Sequence, residues 1–515
     1  MVFSALATFG ITRAGAKDDT KVTKAEGKIH GESSEPTVPV LGSTDKLIAR
    51  KDRLAQSAMI TANLTAFLLV LLVQKHTGLT PLLAAMPVFI FLIAVEHVIQ
   101  RVANFHSAAA RYTVAGLICS VSAGVIQQIS GVLFKKLFLT IGGVPYDILF
   151  SKYGTEFGGK AVQRGLALLF TDLGYYLSHR AEHQLQLGWM FHAIHHNNDQ
   201  YNYAVALRQS WGSRLHSWAF YLPLAFFISH EDMRWAQEWN LMYQFWVHTC
   251  LVRKTHPLFE FIFSTPSHHR LHHDRRLHKN FGGIFIVWDR MFGTFVDETK
   301  LGKDQKHVGG DLTRLDDGEE VAVFGVMANQ ESYLLDLFQL QHPLTTIRSI
   351  YKAKTLRMKV KALVEGAGFY SAVHKDRGVV PRVSVPTKRR IRFQSTLPVL
   401  GSLYALIHFH VAVLFFITIS VSPKLMSMSL LNVVISYGPV VACLSSLAFI
   451  NDGHSWAPFI ESARCLISYY TLSKAAPTGS QEYLSLFYLF SGMVALFNPH
   501  WLSAHKVVNS VKVKA

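Results

Sequence analysis

The chain contains several apolar segments of membrane-spanning length, and these restrict its fold more than any other feature. About 20 apolar residues in a helix cross the hydrocarbon core of a bilayer. Because backbone polar groups find no water there, an apolar segment of this kind must be helical. The sequence therefore predicts an all-α, multispanning membrane protein. Six segments are candidate spans, at residues 58–73, 81–99, 113–134, 397–421, 429–450 and 483–497, and a seventh, weaker segment lies at 458–470.

The composition agrees with a membrane protein and limits its partners. Half of the residues are hydrophobic, 17% are charged and the mean hydropathy is +0.21. The net charge of +17 comes from basic residues in loops and at the two ends, which favours an anionic membrane surface over nucleic acid. The four cysteines lie far apart, so neither a disulfide framework nor a CxxC metal site is expected. Any bound metal must therefore rely on histidine.

Changes in polarity along the chain indicate its organisation. The stretch before the first span is rich in Lys, Glu, Ser and Thr without an apolar period, and we expect disorder there and no cleaved signal peptide. The polar, basic region before the fourth span is expected in the cytosol under the positive-inside rule. Short apolar stretches at 161–176, 215–228 and 239–251 suit re-entrant or tilted helices. The predicted regions are a disordered arm (1–56), N-terminal spans (57–150), a catalytic domain (151–300), a basic cytosolic loop (301–394), C-terminal spans (395–500) and a basic tail (501–515).

Three histidine clusters lie within the predicted catalytic domain. They are His179 and His183, then His192, His195 and His196, and then His269, His272 and His273. Residues three and four apart share one face of a helix, so each cluster directs its imidazoles to a common point. Eight imidazoles exceed the needs of one ion, and His248 is a natural ninth ligand for a pair of ions.

The ligand type alone leaves the chemistry open. Imidazole suits zinc, copper, iron and nickel, so the ligand type does not select iron. A pH-responsive basic loop is an alternative interpretation of the clusters, as is a histidine-lined metal transporter. Transport ligands, however, are expected inside the spans, whereas these clusters flank them.

Carboxylates near the clusters are expected to orient the imidazoles. Asp172 and Glu182 are the candidate catalytic carboxylates, since Asp172 shares a helical face with His179 and Glu182 lies inside the first cluster. Asp199, Asp274 and Asp289 are close in sequence to the other clusters. Glu96, near the end of the second span, is an intramembrane ionisable residue and so a further candidate.

The residues around the clusters resemble a known family. The HxxxH, HxxHH, HxxHH series in a multispanning chain is similar to that of the fatty acid hydroxylase and sterol desaturase superfamily of membrane di-iron enzymes. Longer strings resemble the alkylglycerol (glyceryl-ether) monooxygenases within it. These strings are ALRQS (206–210), YQFWVHT (243–249), TPSHHRLHH (265–273) and KNFGGIFIVWDRMFGTF (279–295).

The resemblance implies a function and a set of partners. It implies that the eight clustered histidines and His248 bind two iron ions, that tetrahydrobiopterin supplies electrons, and that dioxygen and an ether lipid are the substrates. A pterin-recycling reductase would act indirectly, and the expected location is the endoplasmic reticulum membrane. Asn202, Arg208 and Gln209, which follow the second cluster, are candidate contacts for the lipid head group. Other lipid hydroxylases or desaturases that use a cytochrome donor share the superfamily motif and remain an alternative.

Two features of the sequence qualify the resemblance. The family has a glutamate directly after the second histidine, where this chain has Gln184, while Glu182 lies two residues earlier. We expect Gln184→Glu to raise turnover if that carboxylate is needed. No pterin-binding motif and no glycine-rich dinucleotide fingerprint is visible, which argues for a diffusible reductant.

Overall fold

Helices provide nearly all of the regular structure in the computed structural model, which describes residues 43–103, 110–137, 143–274, 277–298, 324–326, 332–365, 394–474 and 479–507. The N-terminal and catalytic helices are α1 (Ser43–Thr77), α2 (Pro81–Val102), α3 (Val114–Leu137), α4 (Gly143–Tyr153), α5 (Lys160–Gln184), α6 (Gln186–His196), α7 (Tyr203–Ala206), α8 (Arg214–Tyr221), α9 (His230–Trp246), α10 (Pro257–Ile262), α11 (Pro266–His272) and α12 (Val287–Met291). The later helices are α13 (Leu335–Lys352), α14 (Leu356–Val364), α15 (Val399–Ser420), α16 (Leu430–Asn451), α17 (Ala457–Lys474) and α18 (Gly479–Phe497).

Five helices in the described part of the chain are long and apolar enough to cross a membrane. They are Lys51–Thr77 of α1, α2, Val114–Lys135 of α3, α15 and α16. Helices α17 and α18 pack closely against each other but fall outside this set, although the apolar segment 483–497 suggested a sixth span. The prediction of an all-helical, multispanning protein is confirmed.

Small residues let the catalytic region approach the spans closely. A Cβ atom added at Gly124 of α3 would lie 2.4 Å from the carbonyl oxygen of Leu207. Helix α5 packs along α9, which in turn packs on α2, and α6 packs on both α5 and α13. Helix α5 is therefore linked to the N-terminal spans through α9, and α6 is linked to them through α5.

Some elements differ from the predicted organisation. Helix α1 begins at Ser43, so residues 43–56 are helical rather than part of a disordered arm; residues such as Leu47, Ala49 and Arg50 have high helix propensity and continue directly into the span. Residues 1–42 lie outside the described part. The region 301–394 contains α13 and α14. From Ala49 onward the chain forms one compact unit.

Two short strands complete the regular structure. Strand β1 (Gln394–Thr396) pairs antiparallel with β2 (His505–Val507), with Ser395 opposite Lys506. A 3₁₀ helix, Leu222–Phe226, continues from α8, and a second, Pro499–Leu502, follows α18. The strand pair joins the start of the C-terminal helices to the end of the described chain.

Candidate metal centre

Four structural elements deliver the nine predicted histidines to one buried region. The first cluster lies in the last turns of α5, and the second lies in the last turns of α6. The third cluster lies on α11 and the residue that ends it, and His248 follows the end of α9 by two residues. All nine side chains are buried. Helical spacing of three and four explains the convergence within each cluster.

The nine imidazoles form two separate groups. One group of five is His179, His183, His192, His196 and His272, and one group of four is His195, His248, His269 and His273. Within each group the potential ligand atoms all lie within 4.8 Å of one another. Each group thus has the composition and spacing of a site for one metal ion.

Contacts at Nδ1 fix the orientation of several rings. His179 Nδ1 lies 2.8 Å from the Phe281 carbonyl, and His272 Nδ1 lies 3.0 Å from the Lys279 carbonyl. His195 and His248 make the same kind of contact, to the carbonyls of Arg208 at 3.1 Å and Gln244 at 2.8 Å. Because a carbonyl only accepts hydrogen bonds, Nδ1 carries the proton and Nε2 keeps its lone pair.

The unprotonated Nε2 atoms face one another. His179 Nε2 and His192 Nε2 are 3.0 Å apart, and His195 Nε2 and His248 Nε2 are 3.2 Å apart. Lone pairs at these distances repel unless a cation lies between them. His183 Nε2 is also buried without a hydrogen-bond partner. The donor set therefore fits two metal ions, each held by Nε2 atoms.

Burial favours the neutral form of several of these imidazoles, and metal binding requires that form. Burial and the neighbouring His192 lower the pKa of His179 to about 3. Burial lowers the pKa of His248 to about 4, and the pKa of His269 falls well below its usual value for the same reason, with His248 contributing. A protonated imidazole could not bind a metal, so these depressed pKa values favour the ligand form.

The loop from Lys279 to Phe285 provides two of the orienting carbonyls. Asn280 adopts a left-handed conformation with φ of 57°, which asparagine tolerates better than most residues, and its side chain donates to the carbonyls of His268 and Val296. The backbone N–H groups of Phe281 and Gly282 donate to Asp289 at 2.8 and 2.7 Å. Burial raises the pKa of Asp289 to about 6.

Asp172 holds the other end of this loop. Its carboxylate accepts hydrogen bonds from the backbone of Ile284 at 2.7 Å and Phe285 at 3.0 Å, and from Trp288 Nε1 and Asn240 Nδ2 at 2.9 and 2.5 Å. Burial raises its pKa to about 6. Asp172 therefore positions the loop whose carbonyls orient His179 and His272, rather than contacting the imidazoles, and its assignment as catalytic remains a prediction.

Glu182 contacts the site directly. Its Oε2 atom lies 3.0 Å from His192 Nδ1, and its Oε1 atom accepts from His216 Nε2 at 2.9 Å. Gly188 makes this approach possible, because a Cβ there would lie 2.6 Å from Glu182 Cα. Burial opposes ionisation, but His192 and His216 outweigh it and hold the pKa of Glu182 below its usual range. By contrast, Gln184 is exposed at the end of α5.

The predicted head-group residues are mostly engaged with the protein. Asn202 Nδ2 donates to the carbonyls of Ala110 and Arg111, both at 3.4 Å. Arg208 Nε donates to the Ile194 carbonyl and to Asn197 Oδ1 at 2.7 Å. Gln209 is the one of the three whose side chain lies beside a histidine of the centre, with its Nε2 atom 3.4 Å from His195 Nδ1. Their role as substrate contacts stays a prediction.

Glu96 links the second span to the metal centre. Its fully buried carboxylate accepts hydrogen bonds from the backbone N–H of Tyr203 at 2.9 Å and from Thr249 Oγ1 at 2.5 Å, and from the hydroxyl of Tyr112. Thr249 directly follows His248. Glu96 therefore positions the loop that carries one of the nine histidines.

Two further histidines join the site that the sequence patterns did not single out. His278 Nδ1 lies 3.2 Å from His183 Nδ1, and His216 binds Glu182. His278 lies six residues from His272, so its proximity to the third cluster was a usable signal. His216 lies outside every cluster and carries no comparable signal. Asp274 is buried beside the third cluster, while the Cβ of Asp199 faces Gly325.

A third group with metal-ligating side chains lies among the C-terminal helices. It contains His408, Glu461 and Cys465. The guanidinium of Arg464 lies between them, donating to Glu461 Oε1 at 2.6 Å and lying 3.0 Å from His408 Nδ1. Since a cation already fills this group, it is a buried ion-pair cluster rather than a metal site.

Comparison with known proteins identifies two family regions. Residues 165–294 match the fatty acid hydroxylase family, and residues 402–486 match the alkylglycerol monooxygenase C-terminal domain family. The first match contains all nine histidines. The second contains the Arg464 ion-pair cluster. No solved structure matches the chain.

Individual relatives give the same result. The chain is 28% identical over 362 residues to the alkylglycerol monooxygenase of Homo sapiens, covering 68% of this chain and 73% of that protein. It is 32% identical over 309 residues to the alkylglycerol monooxygenase of Danio rerio, covering 59% of this chain and 63% of that protein. A shorter match, 28% identical over 171 residues, joins 30% of this chain to half (50%) of an ornithine lipid hydroxylase of Rhizobium tropici.

Proposed function

Since residues 165–294 match the fatty acid hydroxylase family and the chain is similar over much of its length to alkylglycerol monooxygenases, we propose that it is a membrane-bound ether-lipid monooxygenase. The observation that carries this proposal is the pair of buried histidine groups within the matched region. The reaction is hydroxylation of the O-alkyl carbon beside the ether oxygen. Substrates would be alkylglycerols and lyso-alkylphospholipids.

Two iron ions are the proposed metals. The group of five histidines would hold one ion, and the group of four would hold the other. The imidazole donors suit iron but also suit zinc and copper, so the preference for iron rests on the family. When bound, the irons supply the means to activate dioxygen with two electrons and to insert one oxygen atom into a C–H bond.

The reaction balances with an external two-electron donor. Dioxygen, two electrons and two protons convert the ether carbon to its hydroxylated form and release one water. The product is a hemiacetal, which breaks its carbon–oxygen bond to the glycerol to give a fatty aldehyde and a glycerol derivative. We propose tetrahydrobiopterin as the donor, oxidised by two electrons in each turnover.

The protein's own residues orient the centre and shield it from water. The carbonyls of Phe281 and Lys279 hold two imidazoles in the ligand tautomer, and Glu182 holds His192. The packing of α5 along α9, and of α9 on the span α2, suits a lipid whose alkyl chain remains among apolar helices. Each buried CH₂ of that chain contributes roughly 0.8 kcal/mol to binding. Gln209, beside His195, is the proposed head-group contact.

The test uses membranes that contain the full chain. With 1-O-alkylglycerol, dioxygen and tetrahydrobiopterin, we expect fatty aldehyde, and no aldehyde when the pterin is omitted. Purified protein should contain about two irons per chain, lost in His195→Ala and His272→Ala. His410→Ala, an exposed histidine that bonds only the Leu406 carbonyl, is the matched control and should keep its iron.

Other outcomes would replace the proposal. Aldehyde formation or lipid hydroxylation that needs NADH and a cytochrome donor, but not pterin, would favour another lipid hydroxylase of the same family. Zinc occupancy with metal-dependent flux across vesicles would favour a transporter. The nine histidines lie outside the five candidate spans, which argues against transport through them. The proposed location is the endoplasmic reticulum membrane, which organelle fractionation would test.

A further inference from the structure

Helices α13 and α14 place their apolar side chains outward. On α13 the exposed side chains Leu340, Leu344, Ile347 and Tyr351 follow a spacing of four, three and four residues, so they lie on one face. On α14 the exposed residues Leu356, Val360, Leu363 and Val364 form a similar stripe. We call these two stripes together the outer face.

The opposite side of α13 carries polar side chains that bind the protein, together with the buried Pro343. Buried Gln339 accepts from the backbone N–H of Trp211 at 3.1 Å and donates to the Gln209 carbonyl at 3.0 Å. Thr346 accepts from Gln186 Nε2 at 2.8 Å. This polarity is the reverse of that of a helix on a water-exposed surface, which turns its apolar side inward. The outer face is therefore built to meet an apolar environment.

The position of α13 relates this face to the membrane. The residue that ends span α16, Asp452, accepts hydrogen bonds from Ser332 Oγ at 2.5 Å and from the backbone N–H of Tyr333 at 2.6 Å. Helix α13 begins two residues later. The pair α13 and α14 thus starts where a candidate span ends, at the level of a membrane boundary.

Basic side chains border the outer face. From Gln339 to Glu365 the chain has one carboxylate, that of Glu365, which pairs with Lys361 at 3.5 Å. The basic residues of this stretch are Arg348, Lys352, Lys354, Arg357, Lys359 and Lys361. Exposed apolar side chains bordered by Lys and Arg are typical of helices that lie in the interface of an anionic leaflet.

We propose that the outer face of α13 and α14 is a binding surface for an anionic lipid leaflet. The apolar stripes enter the boundary between head groups and acyl chains, and the bordering basic residues pair with lipid phosphates and carboxylates. Both helices pack on α6, which carries three of the nine histidines. The surface would therefore hold α6 and its histidines near the interface, where a lipid substrate resides. This inference does not depend on the reaction catalysed.

The test places a fluorescent reporter on the outer face of the full chain. The native cysteines are all buried, so a dye directed to Val360→Cys labels that position selectively. In nanodiscs with phosphatidylserine, we expect a blue-shifted emission that is quenched by lipids with a spin label high in the acyl chain. The triple variant replaces Lys354, Arg357 and Lys359 by Gln. For each charge removed, the ratio of molecules with the outer face inserted in the lipid to molecules with it free should fall roughly fivefold.

A matched control uses a basic residue at the other end of the span. Lys424→Gln removes an exposed charge in the loop that precedes α16, opposite Asp452, and should leave the signal at position 360 unchanged. Quenching that is equal with and without phosphatidylserine, and equal in the triple variant, would overturn the proposal. Absence of quenching by the labelled lipids would also overturn the proposal. This holds if energy transfer between dyes shows that a second copy covers the outer face, and equally if another segment of this chain covers it.

Discussion

The contact between Glu182 and His192 gives the sharpest prediction about the metal centre. In the native protein, the two carboxylate oxygens of Glu182 lie 3.0 Å from His192 Nδ1 and 2.9 Å from His216 Nε2. Glu182→Gln preserves the size of the side chain but leaves only one oxygen to accept from both imidazoles. One charge-assisted hydrogen bond is lost, with a contribution of about 1.5 to 3 kcal/mol. Loss of such an orienting partner weakens metal affinity by about 10- to 100-fold, or roughly 1.4 to 2.7 kcal/mol. The two magnitudes agree.

The assay is a chelator competition on purified, iron-loaded protein, with iron content and turnover measured on the same samples. Gln184→Glu is the matched control, since Gln184 is exposed at the end of α5 and two residues from Glu182. From the sequence alone, this substitution is expected to raise turnover if a carboxylate is needed at position 184. With Glu182 already on His192, we now expect it to change neither affinity nor turnover by more than about twofold.

His216 provides an independent check of the same geometry. His216→Gln removes an imidazole that holds Glu182 through Oε1, the carboxylate oxygen that does not face His192, and it should weaken iron binding less than Glu182→Gln does. In the double variant the two effects should be less than additive, because both act through His192. The reasoning is refuted if Glu182→Gln keeps wild-type iron affinity, or if Gln184→Glu alters it.

Three further substitutions test the other buried carboxylates. Asp172→Ala leaves four donors without their acceptor and should lower stability by at least about 4 kcal/mol and reduce iron content; wild-type iron content would contradict its role in holding the 279–285 loop. Glu96→Ala should lower the free energy of unfolding by about 3 kcal/mol or more, which is measured as a lower melting temperature in detergent, and it should lower iron retention as well. A change in neither would show that the link to Thr249 is dispensable. Glu461→Ala leaves Arg464 buried without its partner and should destabilise the protein by about 3 to 5 kcal/mol. Because the ion-pair cluster is not a metal site, iron per folded chain should remain unchanged in Glu461→Ala, and a loss of iron would contradict that assignment.

The sequence by itself determined the membrane class and the set of candidate metal ligands. Both signals are local: a run of apolar residues predicts a span, and a spacing of three or four residues places histidines on one helical face. The fatty acid hydroxylase resemblance rests on contiguous strings around those histidines, and it is confirmed. The segment 483–497, predicted as a sixth span, forms a helix, but this helix is not among the five described helices that are long and apolar enough to cross a membrane.

The tertiary structure alone decided how the ligands divide and what orients them. His195 pairs with His248 across 53 residues and His196 with His272 across 76, and no local pattern states which ring meets which. The carbonyls of Lys279 and Phe281 are backbone groups that every residue carries, so their role depends on the path of the loop. Glu182 rather than Gln184 reaches the site because of the direction each takes from α5. Such pairings arise from packing between distant elements, which the sequence encodes only through the fold as a whole.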